Sequence, residues 1–285
     1  MSRPKTKRLN RSIGGDLLLT FILSLLAIVM VLPFVYAVVN AFKPLEEFYL
    51  FPPKFYVINP TADNFRDLLT LTNNLWVPFT RYLFNSVYLA VLSTVISVVV
   101  SSTTAYVLAK KNFHGKHFWM SLITISMLFT SSILGIPQYV ILSTLGWVDT
   151  HWAIVAPVLG STMGVFLMKQ FMEGVPDSII ESARIDGAGD MRICWQIVMP
   201  MVKPAWITLA FLSFQSGWAN SGSSLIYTEN LKLLPTILGQ ISASGMARAG
   251  VGAAATLLMM IPPILTFVVS QSRIIETMAS SGIKD

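Results

Sequence analysis

The sequence predicts an all-α integral membrane protein with six transmembrane helices and one large charged loop. Three observations predict it. Hydrophobic residues fill 54% of the 285 positions and charged ones only 12%, with a mean hydropathy of +0.65, too apolar for a soluble domain of this size. Apolar runs of about twenty residues, each long enough to cross roughly 30 Å of hydrocarbon, recur along the chain. Lysine and arginine also collect in alternate connections: with both ends in the cytoplasm, 14 lie inside and six outside, the bias expected of a spanning protein.

The composition excludes several functions. The net charge of +6 is dispersed among loops and ends, which argues against nucleic acid as a partner and for membrane lipid. One cysteine, Cys194, cannot form an intramolecular disulfide, and its place in a charged loop predicts a reduced cytoplasmic thiol. Three histidines (His114, His117, His151) beside one cysteine make a zinc site improbable, and His114 and His117, in a basic loop, are expected to be solvated.

In chain order, Arg3, Lys5, Lys7, Arg8 and Arg11 precede a first span at about 17–39, which is too long for a signal-peptide core and is read as an uncleaved helix. Residues 40–80 form an external loop with Pro44, Pro52, Pro53, Pro60 and Pro78. Its aromatics Phe48, Tyr49, Phe51, Phe55, Tyr56 and Trp76 suit the membrane interface or an external partner. The second span, about 82–109, carries the small run Ser101 to Ala105, which permits close helix packing. Asn85 and Ser86 near its outer end either line a path or hydrogen-bond between helices. Lys110, Lys111 and Lys116 mark an inner loop. The third span, about 118–142, should kink near Gly135 and Pro137. A short turn without Lys or Arg leads, between Trp147 and Trp152, to the fourth span at about 152–168, with Gly160 and Gly164 in a GxxxG spacing.

Residues 169–203 interrupt this pattern with nine charges, each costing about 2.5–3.5 kcal/mol at a bilayer centre, so the segment belongs in water. Pro176 suits the first turn of a short helix, Asp177 its N-terminal end, and Gly187 the left-handed conformation that stops it. Asp190 can cap a second short helix through Val198, with Ile193 and Ile197 on one face, until Pro200 and Pro204 discourage continuation. The fifth span, about 204–220, contains Gln215, Trp218 and Asn220, whose polar groups face either a translocation path or an inter-subunit contact. An external segment at 221–249, a sixth span at about 250–270 with Pro262 and Pro263, and an inner tail at 271–285 complete the chain.

The spacing Glu181, Ser182, Ala183, then Gly187, then Ile197, Met199 and Pro200 resembles the EAA motif of permease subunits in binding-protein-dependent ABC importers. Ser182 stands where that family usually has Ala, and Met199 where it usually has Leu. The segments RAGVGAAATLLMMIPPILTFVVSQSRIIETM and ETMASSGIKD are similar to those of the shorter permease in the maltose-type carbohydrate uptake class. This resemblance implies the type I importer fold, a single permease domain over 1–285, and a coupling helix that docks on a cytoplasmic ATPase through Glu181, Ser182, Ala183, Asp186, Gly187, Ile197 and Pro200. It also implies a tail, with Ser281, Gly282 and Lys284, that reaches the ATPase. The implied partners are a second, homologous permease, two ATPase subunits that bind ATP and Mg, and an extracytoplasmic solute-binding protein. The implied cargo is a sugar, specifically an oligosaccharide from a complex or acidic polysaccharide. The family often has a Trp-Asn pair where this chain has Trp218, Ala219 and Asn220.

What is missing agrees with that division of labour. There is no GxxxxGK[ST] loop for ATP phosphates, no GxSxG and no HExxH, so neither catalysis nor a cofactor is expected in this chain. The alternatives are an ABC permease for a non-sugar solute such as polyamine or phosphate, and a self-contained secondary transporter. The latter would want ionisable residues within the spans or inverted repeats.

Overall fold

The structure, a computed structural model, describes residues 13–73, 77–129, 131–222, 224–243, 245 and 248–282. The basic residues of the N-terminus, Trp76 and Lys284 lie outside them. All regular structure among the described residues is helical. In order the helices are α1 (Ile13–Ala41), α2 (Leu45–Phe48), α3 (Asp63–Asn73), α4 (Phe79–Lys110), α5 (Lys116–Ser126), α6 (Ser131–Thr144), α7 (Trp152–Val155) and α8 (Thr162–Glu173). They continue with α9 (Asp177–Ile185), α10 (Asp190–Arg192), α11 (Met199–Met201), α12 (Lys203–Ala219), α13 (Leu234–Ser242) and α14 (Ala249–Gly282). Two compact units divide the chain: Met1–Leu68 with Ile241–Leu258, and Leu69–Gln240 with Met259–Asp285.

In the first unit α1 is apolar on every side and exposed along nearly its whole length, as a helix is when lipid or another chain must cover it. The predicted loop that follows is more ordered than its prolines suggest. Buried Glu47 accepts backbone N–H groups from Ile58 and Asn59, and Asn64 donates to the carbonyls of Ala41 and Lys43, which closes the chain around α2 and sets the start of α3. Gly250 passes so close to Asn64 that a Cβ there would overlap its side-chain amide. Tyr49, Phe51, Phe55 and Tyr56 remain exposed.

The second unit is built on α4, 32 residues long, which packs against α8 and α12. Small residues let the backbones approach. A Cβ on Gly164 would meet Ser101 Oγ at 2.6 Å, and one on Gly217 would meet Ala90 Cα at 3.2 Å. Gly160, the other half of the predicted GxxxG pair, has nothing within 4 Å of such a Cβ and takes no part in the packing.

By length and composition Gly14–Ala41, Phe79–Lys110 and Ala249–Ile275 can each cross a membrane, and up to five spans result if two bent helix pairs count as one each. Several predicted boundaries change. The third span divides into α5 and α6, with the break between Ser126 and Ser131 rather than at Gly135 and Pro137. Ser126 Oγ bonds back to the carbonyls of Leu122 and Ile123 and competes with the helix there, while Pro137 is accommodated inside α6. The fourth span is broken at Ser161 by a 40° bend after a 3₁₀ turn at Ala156–Gly160, where Pro157 has no N–H to offer, and α8 then continues past Met168 to Glu173. The segment after Asn220 holds a 3₁₀ turn at Glu229–Leu231 and α13. Helix α14 runs through Pro262 and Pro263 and takes in the predicted tail as far as Ser281 and Gly282.

Candidate functional site

Two features of the second unit are candidates, a hairpin at 173–203 and a polar cavity beside α12. In the hairpin, Pro176 occupies the position just before α9, and Asp177 lies in its first turn. The Asp177 carboxylate pairs with Lys110 Nζ at 2.8 Å, which holds it below the usual carboxylate range, and the same ammonium donates to Val175 O. Helix α9 ends in a Schellman motif: Ala188 N–H donates to Ala183 O, and Gly187 N–H to Arg184 O. Gly187 has φ +82°, so the turn requires the glycine although nothing crowds it.

The second arm differs from the predicted α-helix. Gly189, not Asp190, precedes α10. Asp190 instead lies in its first turn and pairs with Lys111 at 2.5 Å and Arg184 at 3.7 Å, which lowers its pKa, chiefly through the bond to Lys111. Ile193–Val198 is a π-helical stretch, and α11 carries the chain through Pro200 to a turn at Val202, where it bends by 89° into α12. Pro200 cannot donate to the carbonyl four residues back, and the turn before it widens.

The hairpin buries one face. Ile180, Ala183, Ile193, Cys194, Val198 and Met199 join Ala105 and Tyr106 of α4 and Met168 and Met172 of α8 in a single apolar cluster. Such side chains contribute about 1.5–3 kcal/mol each when fully buried. Ile197 is half-buried against this cluster, whereas Glu181, Ser182, Asp186, Gly187 and Pro200 are exposed. Cys194 is a free, buried thiol, and burial pushes it up to about 11. The sequence reading missed Ile185 and Met191, which flank the Gly187 turn and are 86% and 66% exposed. Large apolar groups at an exposed tip, next to charges, are the signal that identifies them.

The cavity, of 420 Å³, lies among α4, α6, the break at Ser161 and α12. Its polar lining is Ser97, Gln138, Ser161, Ser213, Ser216 and Asn220, and among the described residues no charged one lines it. Ser213 Oγ donates to Ser97 Oγ at 2.9 Å, and Asn220 Oδ1 accepts from Gly222 N–H, which leaves its amide N–H groups for other partners. Ser213 and Ser216 share one face of α12, and Asn220, the residue just past its end, follows at helical spacing. Of the three residues expected here only Asn220 lines the cavity. Gln215 is exposed elsewhere on the helix. Trp218 is buried, stacks on Phe214, and donates Nε1–H to Met259 O at 2.9 Å. That carbonyl lacks its helical donor because Pro263 stands four residues on.

Asn85 and Ser86, left open between path and packing, are both buried in packing. Asn85 donates to the carbonyls of Asn230 and Lys232, and Ser86 accepts from Leu234 N–H. Asp149, in the left-handed region at φ +59°, accepts from Tyr227 N–H, Thr228 N–H and Thr228 Oγ1, which hold its carboxyl below the usual range.

Residues 97–278 match the family described as the binding-protein-dependent transport system inner membrane component. A polygalacturonan/rhamnogalacturonan transport system permease of Bacillus subtilis is 30% identical over 237 residues, 81% of this chain and 80% of that protein. An arabinooligosaccharide transport system permease of Halalkalibacterium halodurans is 26% identical over 94% of this chain and 96% of its own. The fold is shared, with a TM-score of 0.77 and 22% identity over 95% of this chain and 99% of the other, by a chain of a bacterial ABC transporter involved in the import of the acidic polysaccharide alginate. With the matched region spanning the packed helices, the cavity and the hairpin, the chain belongs to the family of inner membrane permease components of binding-protein-dependent ABC transport systems.

Proposed function

We propose that this permease carries a sugar, an oligosaccharide released from a complex or acidic polysaccharide, through a path it forms with a second, homologous permease. The observation that carries the reading is the cavity: uncharged hydroxyl and amide groups on α4, α6 and α12 match the hydrogen-bonding hydroxyls of a sugar and offer nothing to balance a phosphate or a polyamine. The relatives named for polygalacturonan/rhamnogalacturonan and for arabinooligosaccharides support the same class. Energy enters through the hairpin. Its exposed face, with Glu181, Asp186 and Gly187 between Ile185 and Met191, docks on one of two ATPase subunits that hold ATP and Mg, and its buried face transmits the movement to α4, α8 and α12. In this arrangement the hairpin and both chain ends lie in the cytoplasm, α5 and α6 together serve as one of six spans, and a solute-binding protein delivers cargo from outside. The end of α14, with Ser281 and Gly282, and Lys284 beyond it reach towards the ATPase pair. The test is mass spectrometry of the ligand retained by the copurified binding protein. An oligosaccharide is expected, and a phosphate ester or polyamine would overturn the substrate class.

A further inference from the structure

A second cavity, of 470 Å³, runs between α12 and α14 on the side away from the serines. Each helix gives it one face at helical spacing. From α12 come Lys203, then Trp206 and Ile207, then Ala210 and Phe211, then Phe214; from α14 come Thr266, Val269, Ser270 and Arg273. Both helices thus place a cation at the same end of the groove and apolar or aromatic surface along the rest. Lys203 is exposed and has no acidic partner among the described residues. Ser270 and Ser272 set hydroxyl donors beside Arg273.

The dimensions choose among occupants. Lys203 to Phe214 is eleven residues of helix, about 16 Å, close to the half-thickness of about 15 Å that one leaflet contributes to the hydrocarbon core. The cations stand where the apolar runs of both helices stop, the level of lipid phosphates. A soluble anion would use the cations and leave the aromatic channel empty. We propose that this groove binds one anionic glycerophospholipid, its phosphate between Lys203 and Arg273 with Ser270 and Ser272 donating to it, and one acyl chain laid along Trp206, Phe211 and Phe214. Helices α12 and α14 are the pair joined by the Trp218–Met259 bond, so the lipid would fill the same seam from its charged end.

The experiment uses the whole transporter complex, delipidated and then supplied with dioleoyl phosphatidylglycerol or dioleoyl phosphatidylcholine, with retained lipid read by native mass spectrometry. Phosphatidylglycerol should be retained over phosphatidylcholine. Lys203→Gln and Arg273→Gln should each weaken retention about fivefold. Ala210→Phe, which narrows the apolar part and leaves both cations in place, should displace the lipid as well. Glycerophosphoglycerol, the headgroup without chains, should not compete. The proposal fails if phosphatidylcholine is held equally well or if the double cation variant retains lipid unchanged. It also fails if the chain-free headgroup displaces the lipid, which marks a site for soluble anions, or if Ala210→Cys cross-links to another polypeptide in the lipid-loaded complex, which means that protein covers the groove.

Discussion

At its Lys110 end, α4 and the capping residue Lys111 give two ammonium groups to carboxylates of the 173–203 hairpin, while behind them Ala105 and Tyr106 enter the apolar cluster that the hairpin buries. At its Phe79 end the same helix buries Tyr82, Asn85 and Ser86, and these side chains bond to Glu229, to the carbonyls of Asn230 and Lys232, and to Leu234 N–H. One end is joined mainly by packing with charge at the rim. The other is joined largely by polar side chains reaching backbone, with a smaller apolar cluster around Leu89, Ile154 and Leu233 beside them. Packing contacts degrade gradually as volume changes, whereas a buried donor that disappears leaves its acceptors bare. The hairpin, which in the proposed cycle follows another protein's movement, has the tolerant joint. The opposite segment has the joint that holds one register or none.

The largest effect should therefore come from Asn85→Leu, which keeps the volume and removes both N–H donors. Each bared carbonyl costs roughly 1–3 kcal/mol. Lys111→Gln at the other end removes half of a surface ion pair, worth about 0–1 kcal/mol. Thermal unfolding of the detergent-solubilised complex should rank the two in that order, and limited proteolysis should cut Asn85→Leu first near 229–234. Equal losses would mean that the two joints do not differ as described.

A smaller effect tests whether the same accounting holds in mid-helix. Trp218→Phe leaves Met259 O without a donor and should cost about 1–3 kcal/mol. Pro263→Ala returns an N–H to that carbonyl from within α14, so in its background the loss of the indole should cost less. A double-mutant cycle measures this coupling directly, and strict additivity of the two changes would show that the Trp218 bond does not compensate for the proline.

Smaller again is Gly187→Ala. The left-handed φ of +82° costs a residue with a Cβ about 1–2 kcal/mol, but no atom lies close enough to clash. The loss should fall on function more than on assembly: membrane insertion proceeds while substrate-stimulated ATP hydrolysis declines, and Glu181→Ala on the exposed face should act in the same direction. Unaltered stimulation in both variants would remove this turn from the coupling role proposed for it.

The hairpin was legible because charges at forbidden depth, Pro176 and Gly187 each leave a local mark in the sequence. Its π-helical arm was not, since that depends on how the turn before Pro200 resolves a missing N–H. The Phe79 end of α4 was illegible for a different reason. Bonds from Asn85 and Ser86 to backbone some 145 residues away carry no period. On α12 the period existed and was overlooked. Ser213, Ser216 and Asn220 lie at helical spacing, yet Gln215 and Trp218 drew attention by size and polarity, and serine is common wherever helices simply pack. Gly164 and Gly160 illustrate the same limit: a spacing states that close approach is permitted, while only the 40° break at Ser161 decides which glycine uses it.

The smallest perturbation examines the packed joint without disturbing it. Cys194 is the chain's single thiol and sits inside the cluster that holds the hairpin to α4 and α8. Burial raises its pKa to about 11 from an ordinary value near 9. The neutral thiol's contribution to stability is thus complete below about 9 and is lost as the pH rises through about 11. At pH 7.5 the reactive thiolate is scarce and shielded, so a water-borne maleimide should label the folded complex far more slowly than the SDS-unfolded chain, in every nucleotide state. Labelling that accelerates only when ATP is bound would mean that the cluster opens during the cycle. The hairpin would then hinge on its core rather than move with it as one body, and the contrast between the two ends of α4 would have to be redrawn.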